Sequence, residues 1–301
     1  MKNIVECAFE IKNNENPIKK YLNNCGLLKQ TKICSKCGHS LSRINKNLGI
    51  THKFQCNYCN SYQSEFSNTL FVGMKISLQK FFIILHYFIS NQTPKTALEY
   101  FKISYKDAGV SLNTIKTYYR KFLFLMAKHV KSEMDQILFD NEVEIDETLV
   151  YKKKTRDSFG RPRKIKIWIF GIKDHNSKKF VLYTLNQRTR AILLGKIIKH
   201  ISLNCIIYSD SFSVYVNNRS IPKKNHLERF GYTHFFVNHQ IQFVSNILST
   251  IHINKVERMW RSLKKLIKDF KPILFVEETV LKFFFNEIYS YEDKMKVLLK
   301  I

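Results

Sequence analysis

Residues 77–90 are an almost unbroken apolar run closed by Asn91-Gln92-Thr93-Pro94, which predicts a buried helix. A short helix is expected from about Pro94 to Phe101. After Asp107-Ala108-Gly109-Val110, Ser111 is placed to cap another helix. On it Leu112, Ile115, Tyr119, Phe122 and Met126 recur at helical spacing and form an inward face. Asn113, Lys116, Thr117 and Arg120 lie on the other side. This is the pattern of a helix-turn-helix with an exposed recognition helix. The rival reading is an ordinary helical hairpin whose polar face is solvated.

The pattern then changes period. Residues 143–150 read as a strand on which Glu144 and Asp146 share a face. Residues 164–172 and 180–185 read as two more strands joined by a turn at 174–178. Residues 189–201 read as a helix. Residues 205–208 form a short buried strand that runs on to Asp210. Three strands, a helix and a strand ending in an acid is the order of an RNase H-like nuclease core. Further on, Val256, Trp260, Leu263, Ile267 and Phe270 make an inward helical stripe. Glu257, Arg261, Lys264 and Lys268 share another face, with Glu257 and Lys264 only about 20° apart around the axis. The expected fold class is α/β: a mixed sheet flanked by helices, preceded by a small cysteine module and a helical region. The expected domains are 1–75, 76–135 and 136–301.

Length and composition narrow the class. The chain has 301 residues, 45% hydrophobic and 25% charged, a globular balance that excludes a wholly disordered or collagenous chain. No run of about 18 apolar residues is present, so no membrane span is expected. The first residues, with Lys2, Glu6, Glu10 and Lys12, lack an apolar signal core, so secretion is not expected. The net charge is +26. It is shared, with 20 basic against 8 acidic residues in 1–135 and 30 against 16 in 136–301. A polyanion, most commonly nucleic acid, is the natural partner. AT-rich coding inflates Lys as well, so charge counts as support only.

Seven cysteines are present: Cys7, Cys25, Cys34, Cys37, Cys56, Cys59 and Cys205. Cys34-x2-Cys37 and Cys56-x2-Cys59 have the spacing of two knuckles that bring four thiolates to one structural zinc. Gly38 follows the first pair, where a knuckle needs positive φ. His39 and His52 lie nearby, but four sulfurs complete the shell. Lys29, Lys32, Lys36, Arg43, Lys46 and Lys53 surround the module and favour nucleic acid. Cys7, Cys25 and Cys205 read as buried thiols.

Acids are scarce, so the crowding of Asp140, Glu142, Glu144, Asp146 and Glu147 is informative. Phosphodiester chemistry by two Mg²⁺ needs hard oxygen ligands that leave coordination sites open for substrate. Two strand-borne aspartates, Asp146 and Asp210, and a helix-borne Glu257 fit that need. Arg261, Lys264 and Lys268 continue along the helix and are placed to meet phosphates. A charged solvated helix face is the commoner use of such a pattern; it leaves the two aspartates unexplained. A basic stretch (Lys152, Lys153, Lys154, Arg156, Arg161, Arg163, Lys164) lies beside the first aspartate, as a phosphate-tracking element or a solvated hairpin tip.

Several motifs occur in order: the paired cysteines, Val143-Glu-Ile-Asp146-Glu-Thr148, Tyr208-Ser-Asp210, Val237-Asn-His239, and His252-Ile-Asn254-Lys-Val-Glu257-Arg-Met-Trp260-Arg-Ser-Leu-Lys264. This array resembles the Merlin superfamily of DNA transposases and the related bacterial insertion-sequence transposases, over about residues 30–290. The resemblance implies an RNase H-like DDE catalytic domain, Mg²⁺ or Mn²⁺ dependence and cut-and-paste transposition. It implies Asp146, Asp210 and Glu257 as the catalytic, metal-binding triad, and Lys264 as the basic residue seven positions on. Arg261, Lys268, Lys116, Arg120 and Asn113 are the further DNA-contact candidates, and His239, His252, Asn254 and Trp260 would be supportive. Implied partners are double-stranded DNA (terminal inverted repeats and target) and further copies of the chain. The implied compartment is the nucleus in a eukaryote, or the cytoplasm and nucleoid in a bacterium. Ile253 and Arg258 depart from the usual threonine and glycine, and an insertion is expected at about Asn217–His226. Some bacterial relatives use asparagine as third ligand; Glu257 is preferred here over Asn254. A domesticated or inactive DNA-binding derivative, and another RNase H-like nuclease, are the rival functions.

Overall fold

The computed structural model describes residues 16–24, 27, 33–44, 53–64, 66, 71–104, 109–217, 224–237, 254–269 and 276–300. His239, His252, Cys7, Cys25, His52, Ile253 and Phe270 lie outside them. Among the described residues no helix is long and apolar enough to cross a membrane. The chain divides into two compact units. One comprises Met1–Leu125 with Tyr291–Ile301, the other Met126–Ser290.

The first unit opens with helix α1 (Asn16–Asn24) and a three-stranded antiparallel meander of β1 (Leu41–Ile44), β2 (Lys53–Cys56) and β3 (Tyr62–Ser64). Its small core is Cys34, Leu41 and Cys56. Three helices follow: α2 (Leu78–Ile89), α3 (Pro94–Ser104) and α4 (Leu112–Gln136). The Ser77 hydroxyl accepts from the Lys80 N–H and the Ser111 hydroxyl from the Thr114 N–H, so each caps its helix. The α2 run is buried on nearly all sides, and its Phe81 and Phe88 pack edge-on to or tilted against Phe122 of α4. Ile115, Tyr119, Phe122 and Met126 are buried, while Asn113, Lys116, Thr117 and Arg120 are exposed, so both predicted faces of α4 are present.

Helix α4 continues past the division between the units, which lies between Leu125 and Met126. The last helix, introduced below, belongs with the first unit rather than with the sheet. The reason is local: the Tyr291 hydroxyl lies 2.6 Å from His86 Nδ1 on α2, an inward-facing histidine whose pKa burial lowers.

The second unit is built on a five-stranded mixed sheet. Its strands are β4 (Glu142–Arg156), β5 (Pro162–Asp174), β6 (Phe180–Leu185), β7 (Ile206–Asp210) and, after a two-residue ribbon of β8 (Val216–Asn217) and β9 (Lys224–Asn225), β10 (Thr233–Val237). Helix α5 (Arg190–His200), capped by Thr189, joins β6 to β7. Helices α6 (Asn254–Asp269) and α7 (Val276–Ile288) follow β10 and pack on the sheet, and α8 (Tyr291–Lys300) ends the chain. The spatial order is β10-β7-β4-β5-β6. β4–β5–β6 are antiparallel neighbours, and β7 and β10 join parallel on the other edge of β4. The chain thus builds outward on one side of β4, crosses through α5 and builds outward on the other. The switch between sides lies at the β4–β7 edge, where ligand sites of α/β sheets gather.

One contact sets how closely α6 approaches the sheet. Gly171 of β5 pairs with Asp146, and a Cβ there would meet the Trp260 ring at 2.5 Å. Only a residue without a side chain lets the edge of the indole come this close to the backbone. Gly171→Ala should push Trp260 outward and cost roughly 1–3 kcal/mol through overpacking. Because Trp168 and Trp260 are the chain's two tryptophans, a red shift in emission together with a lower urea midpoint would register it. An unshifted spectrum at wild-type stability would refute the packing role.

Candidate active site

Asp146 sits in the middle of the central strand and Asp210 at the end of its parallel neighbour. The β4–β7 register pairs Glu142 with Ile206, Val143 with Ile207 and Glu144 with Tyr208. Two more residues along each strand bring Asp146 level with Asp210, just beyond the last paired rung. The Asp210 carboxylate is fixed by its own turn, accepting from the Phe212 N–H at 3.0 Å.

The third acid arrives on α6, and two acids of β4 hold that helix. Glu144, fully buried, accepts at Oε2 from the Lys255 and Val256 N–H groups, both at 2.9 Å. These are backbone donors of the first helical turn, which lack partners within the helix. His175 Nδ1 lies 3.2 Å from Oε1. One turn later the Trp260 indole N–H donates to Asp146 Oδ2 at 2.7 Å. Glu257 lies between these two fastenings and is exposed. Arg261, Lys264 and Lys268 are likewise exposed, while Val256, Trp260 and Leu263 are buried. Asn254 is exposed at the helix start.

The electrostatics tie the three acids together. Burial pushes the Asp146 carboxyl up to about 7; the Trp260 hydrogen bond opposes this, and the charges of Asp210 and Glu257 add to it. A fourth acid, Glu147, points to the opposite face of β4. Burial raises it to about 8, opposed by the Tyr215 hydroxyl and by Arg188 and reinforced by Asp146 and Asp210. Tyr215 donates to Glu147 Oε1, and Arg188 lies 3.6 Å from Oε2 with its guanidinium 3.4 Å from the Trp168 ring centroid and 4.6 Å from that of Phe212. The segment after Asp210 is thereby tied to the residue next to Asp146. Behind β7, burial holds His234 neutral, with its pKa down to about 3. Its Nδ1 donates to Asn225 Oδ1 at 2.7 Å, and its Nε2 lies 2.8 Å from the Ser209 hydroxyl, which itself donates to the Asp210 carbonyl at 2.7 Å.

The cysteine module is a separate site. Among the described residues, Cys34, Cys37, Cys56 and Cys59 are the group of three or more candidate ligands whose donor atoms all lie within 4.8 Å of one another; the three acids are not drawn that close. Sulfur–sulfur separations of 3.6 Å (Cys34–Cys59) and 3.4 Å (Cys37–Cys56) are near the edge of about 3.8 Å in a tetrahedron with 2.3 Å bonds. The knuckles are copies of each other. Gly38 N–H donates to Cys34 O and Asn60 N–H to Cys56 O, and Cys34 N–H donates to His39 O as Cys56 N–H does to Ser61 O. Gly38 and Asn60 both have positive φ. His39 and Tyr58 stack across the two knuckles at 4.1 Å, so His39 packs rather than ligates. The Ser61 hydroxyl lies within reach of Cys34 and Cys59 and leads the lowering of both thiols, Cys34 to about 6. Cys37 goes the other way, to about 12, because the His39 backbone hydrogen bond is outweighed by burial and the neighbouring sulfurs. The soft four-sulfur set could bind a structural zinc. Cys205 stays apart, buried, its thiol pushed up to about 12.

Sequence reasoning brought Asp146, Asp210, Glu257, Trp260 and the four cysteines to these elements. It did not assign the helix-capping role of Glu144, the close approach at Gly171, or the Glu147–Tyr215–Arg188 tie. The first had a signal, since Glu144 precedes Asp146 by two residues on the same strand. The others depend on partners far along the chain. No protein-family model matches this chain, and no curated protein sequence is significantly similar to it.

Two outcomes follow. The purified protein should carry one zinc ion by plasma mass spectrometry, released by chelation with loss of the cysteine module's amide dispersion; Cys56→Ser should carry none. The second concerns pH. The folded chain keeps the Asp146 proton where the unfolded chain, with an ordinary carboxyl near 3.8, has lost it. The associated stability is complete below about pH 4 and is lost as pH rises through about 7. In metal-free protein, the unfolding free energy of wild type relative to Asp146→Asn should therefore fall over that window, by at most about 1.4 kcal/mol per pH unit. A difference independent of pH would refute the buried-acid account.

Proposed function

We propose that this chain is a DDE-type DNA transposase with an RNase H-like catalytic unit, akin to the Merlin-type and related bacterial insertion-sequence enzymes. The carrying observation is the arrangement of Asp146 and Asp210 at the switch edge of the sheet, with Glu257 delivered by a helix fastened to β4 at Glu144 and Asp146. The strand order supports the RNase H-like reading: three antiparallel strands, then two parallel ones on the far side of the first. The mutual repulsion felt at Asp146, inside a chain of net charge +26, is what a cation site requires.

Hard carboxylate oxygens of this kind fit Mg²⁺ or Mn²⁺, and Asp146, Asp210 and Glu257 would hold them. Bound divalent ions supply an activated oxygen nucleophile and stabilise the leaving oxygen in an in-line displacement. The chain's own residues do the rest. Trp260 fixes one Asp146 oxygen. Glu144 keeps Glu257 at the helix start, where the dipole favours negative charge. Arg261, Lys264 and Lys268 lead phosphates away from the acids. The zinc ribbon and the exposed face of α4, with Asn113, Lys116 and Arg120, would grip element ends. Further copies of the chain would pair two ends.

The test is cleavage and strand transfer on DNA carrying the sequences that flank this reading frame, with Mg²⁺ or Mn²⁺. Wild type should yield metal-dependent products, and Asp146→Asn, Asp210→Asn and Glu257→Gln should each lose them by at least about 10³-fold. Tight DNA binding without products under either metal would instead identify a domesticated DNA-binding derivative.

A further inference from the structure

We infer that the β4–β5 arm, residues 151–167, is a binding site for duplex nucleic acid in its own right. β6 leaves β5 at Trp168 and β7 leaves β4 at Glu144. Beyond those points, among the described residues, β4 and β5 pair only with each other, through six rungs from Tyr151–Ile167 to Arg156–Pro162. At about 3.4 Å per residue the paired arm is roughly 17 Å long. A two-stranded ribbon is one of the elements that a major groove about 12 Å wide admits.

The charge is concentrated there. Residues 151–167 hold eight cations and a single acid, Asp157. That acid is spent on the turn, accepting from the Phe159 and Arg161 N–H groups, both at 2.9 Å. Lys152 lies directly across from Lys166, and Lys154 from Lys164. Like charges placed opposite each other weaken a strand pair. Within the ribbon these rungs are a liability; against a polyanion they become attraction.

A register slip sorts the cations. The pairing shifts by one between Leu149 and Tyr151. As a result Lys152, Lys154, Arg156, Lys164 and Lys166 share one face, and Lys153 and Arg163 the other. Without the slip the same seven cations would divide four and three. All five on the richer face are exposed, and among the described residues none is in an ion pair. At the tip Phe159 is 80% exposed, with the Arg161 guanidinium 5.6 Å from its ring centroid, a pairing suited to bases or sugars. A second copy of the chain brings the same surplus of positive charge and repels this face. A duplex presents about one negative charge per 1.7 Å and matches it along its whole length. The inference rests on the function proposed above only in taking DNA rather than RNA as the duplex.

The experiment is a fluorescence-anisotropy titration of the full chain with a 20-base-pair DNA duplex in EDTA, over a salt series. Wild type is compared with Lys152→Ala/Lys154→Ala/Lys164→Ala/Lys166→Ala and with a control pair elsewhere, Lys178→Ala/Lys179→Ala. Urea midpoints confirm that each variant folds. The arm variant should lose about 3–4 from the slope of log affinity against log salt, near 0.9 per lost contact, and at least about 100-fold in affinity near 100 mM salt. An unchanged slope overturns the proposal. So does an equal loss per charge in the control pair, which would make the effect one of net charge. Loss of polyglutamate binding with DNA binding intact overturns it too, in favour of an acidic protein. If the arm variant loses DNA while wild type never cleaves with metal, the arm stands and the transposase reading falls.

Discussion

A carboxylate sealed inside a protein destabilises the fold unless hydrogen-bond donors surround it. A helix that begins against a sheet has the complementary problem, since its first N–H groups find no acceptor. Glu144 and the start of α6 answer each other, through the Lys255 and Val256 amides, with His175 beside the second oxygen. The contact is short, dry and directional, so it fixes both the height and the rotation of α6 over β4. The residue after Val256 is Glu257, which inherits that position from the fastened helix start. Asp146 adds a second fastening at Trp260, and Gly171 clears the space beneath the indole.

The consequence is an acid cluster whose members are placed by groups other than themselves. Asp146 is half-buried, hydrogen-bonded to Trp260 through one oxygen and crowded by Asp210 and Glu257. On the reverse of the strand Glu147 ties down the turn after Asp210 through Tyr215. The scaffold therefore holds like charges near one another before any ligand relieves their repulsion.

Much of this was legible from residue order. Two-residue alternation marked β4, and helical stripes marked α4 and α6, because their inward and outward sides differ in polarity. The cysteine spacing marked the knuckles, although Asn60 hid the second left-handed turn, since asparagine tolerates it without advertising it as Gly38 does. Gly171 was mute for a related reason. A glycine inside an apolar strand signals close approach but not what approaches, and Trp260 lies 89 positions away. The Glu147–Tyr215 contact spans 68 residues and joins two otherwise ordinary side chains. The return of α8 to the first unit was likewise invisible, since a His86–Tyr291 pair has no periodic trace.

The residues on either side of 218–223, Val216–Asn217 and Lys224–Asn225, bear on how the chain tolerates a change of length there. Val216–Asn217 pairs with Lys224–Asn225 in two antiparallel rungs. Asn225, mostly buried, donates to the His234 carbonyl and to Glu228 and accepts from the Leu227 amide. The neck is thus sealed on the body side, whatever lies beyond it. Closing a loop becomes costlier only logarithmically with its length, by about 0.6 kcal/mol per doubling. Material can therefore be added or removed beyond Asn217 while Asp210 stays where it is. The neck is a point at which chain length can change without disturbing the acids.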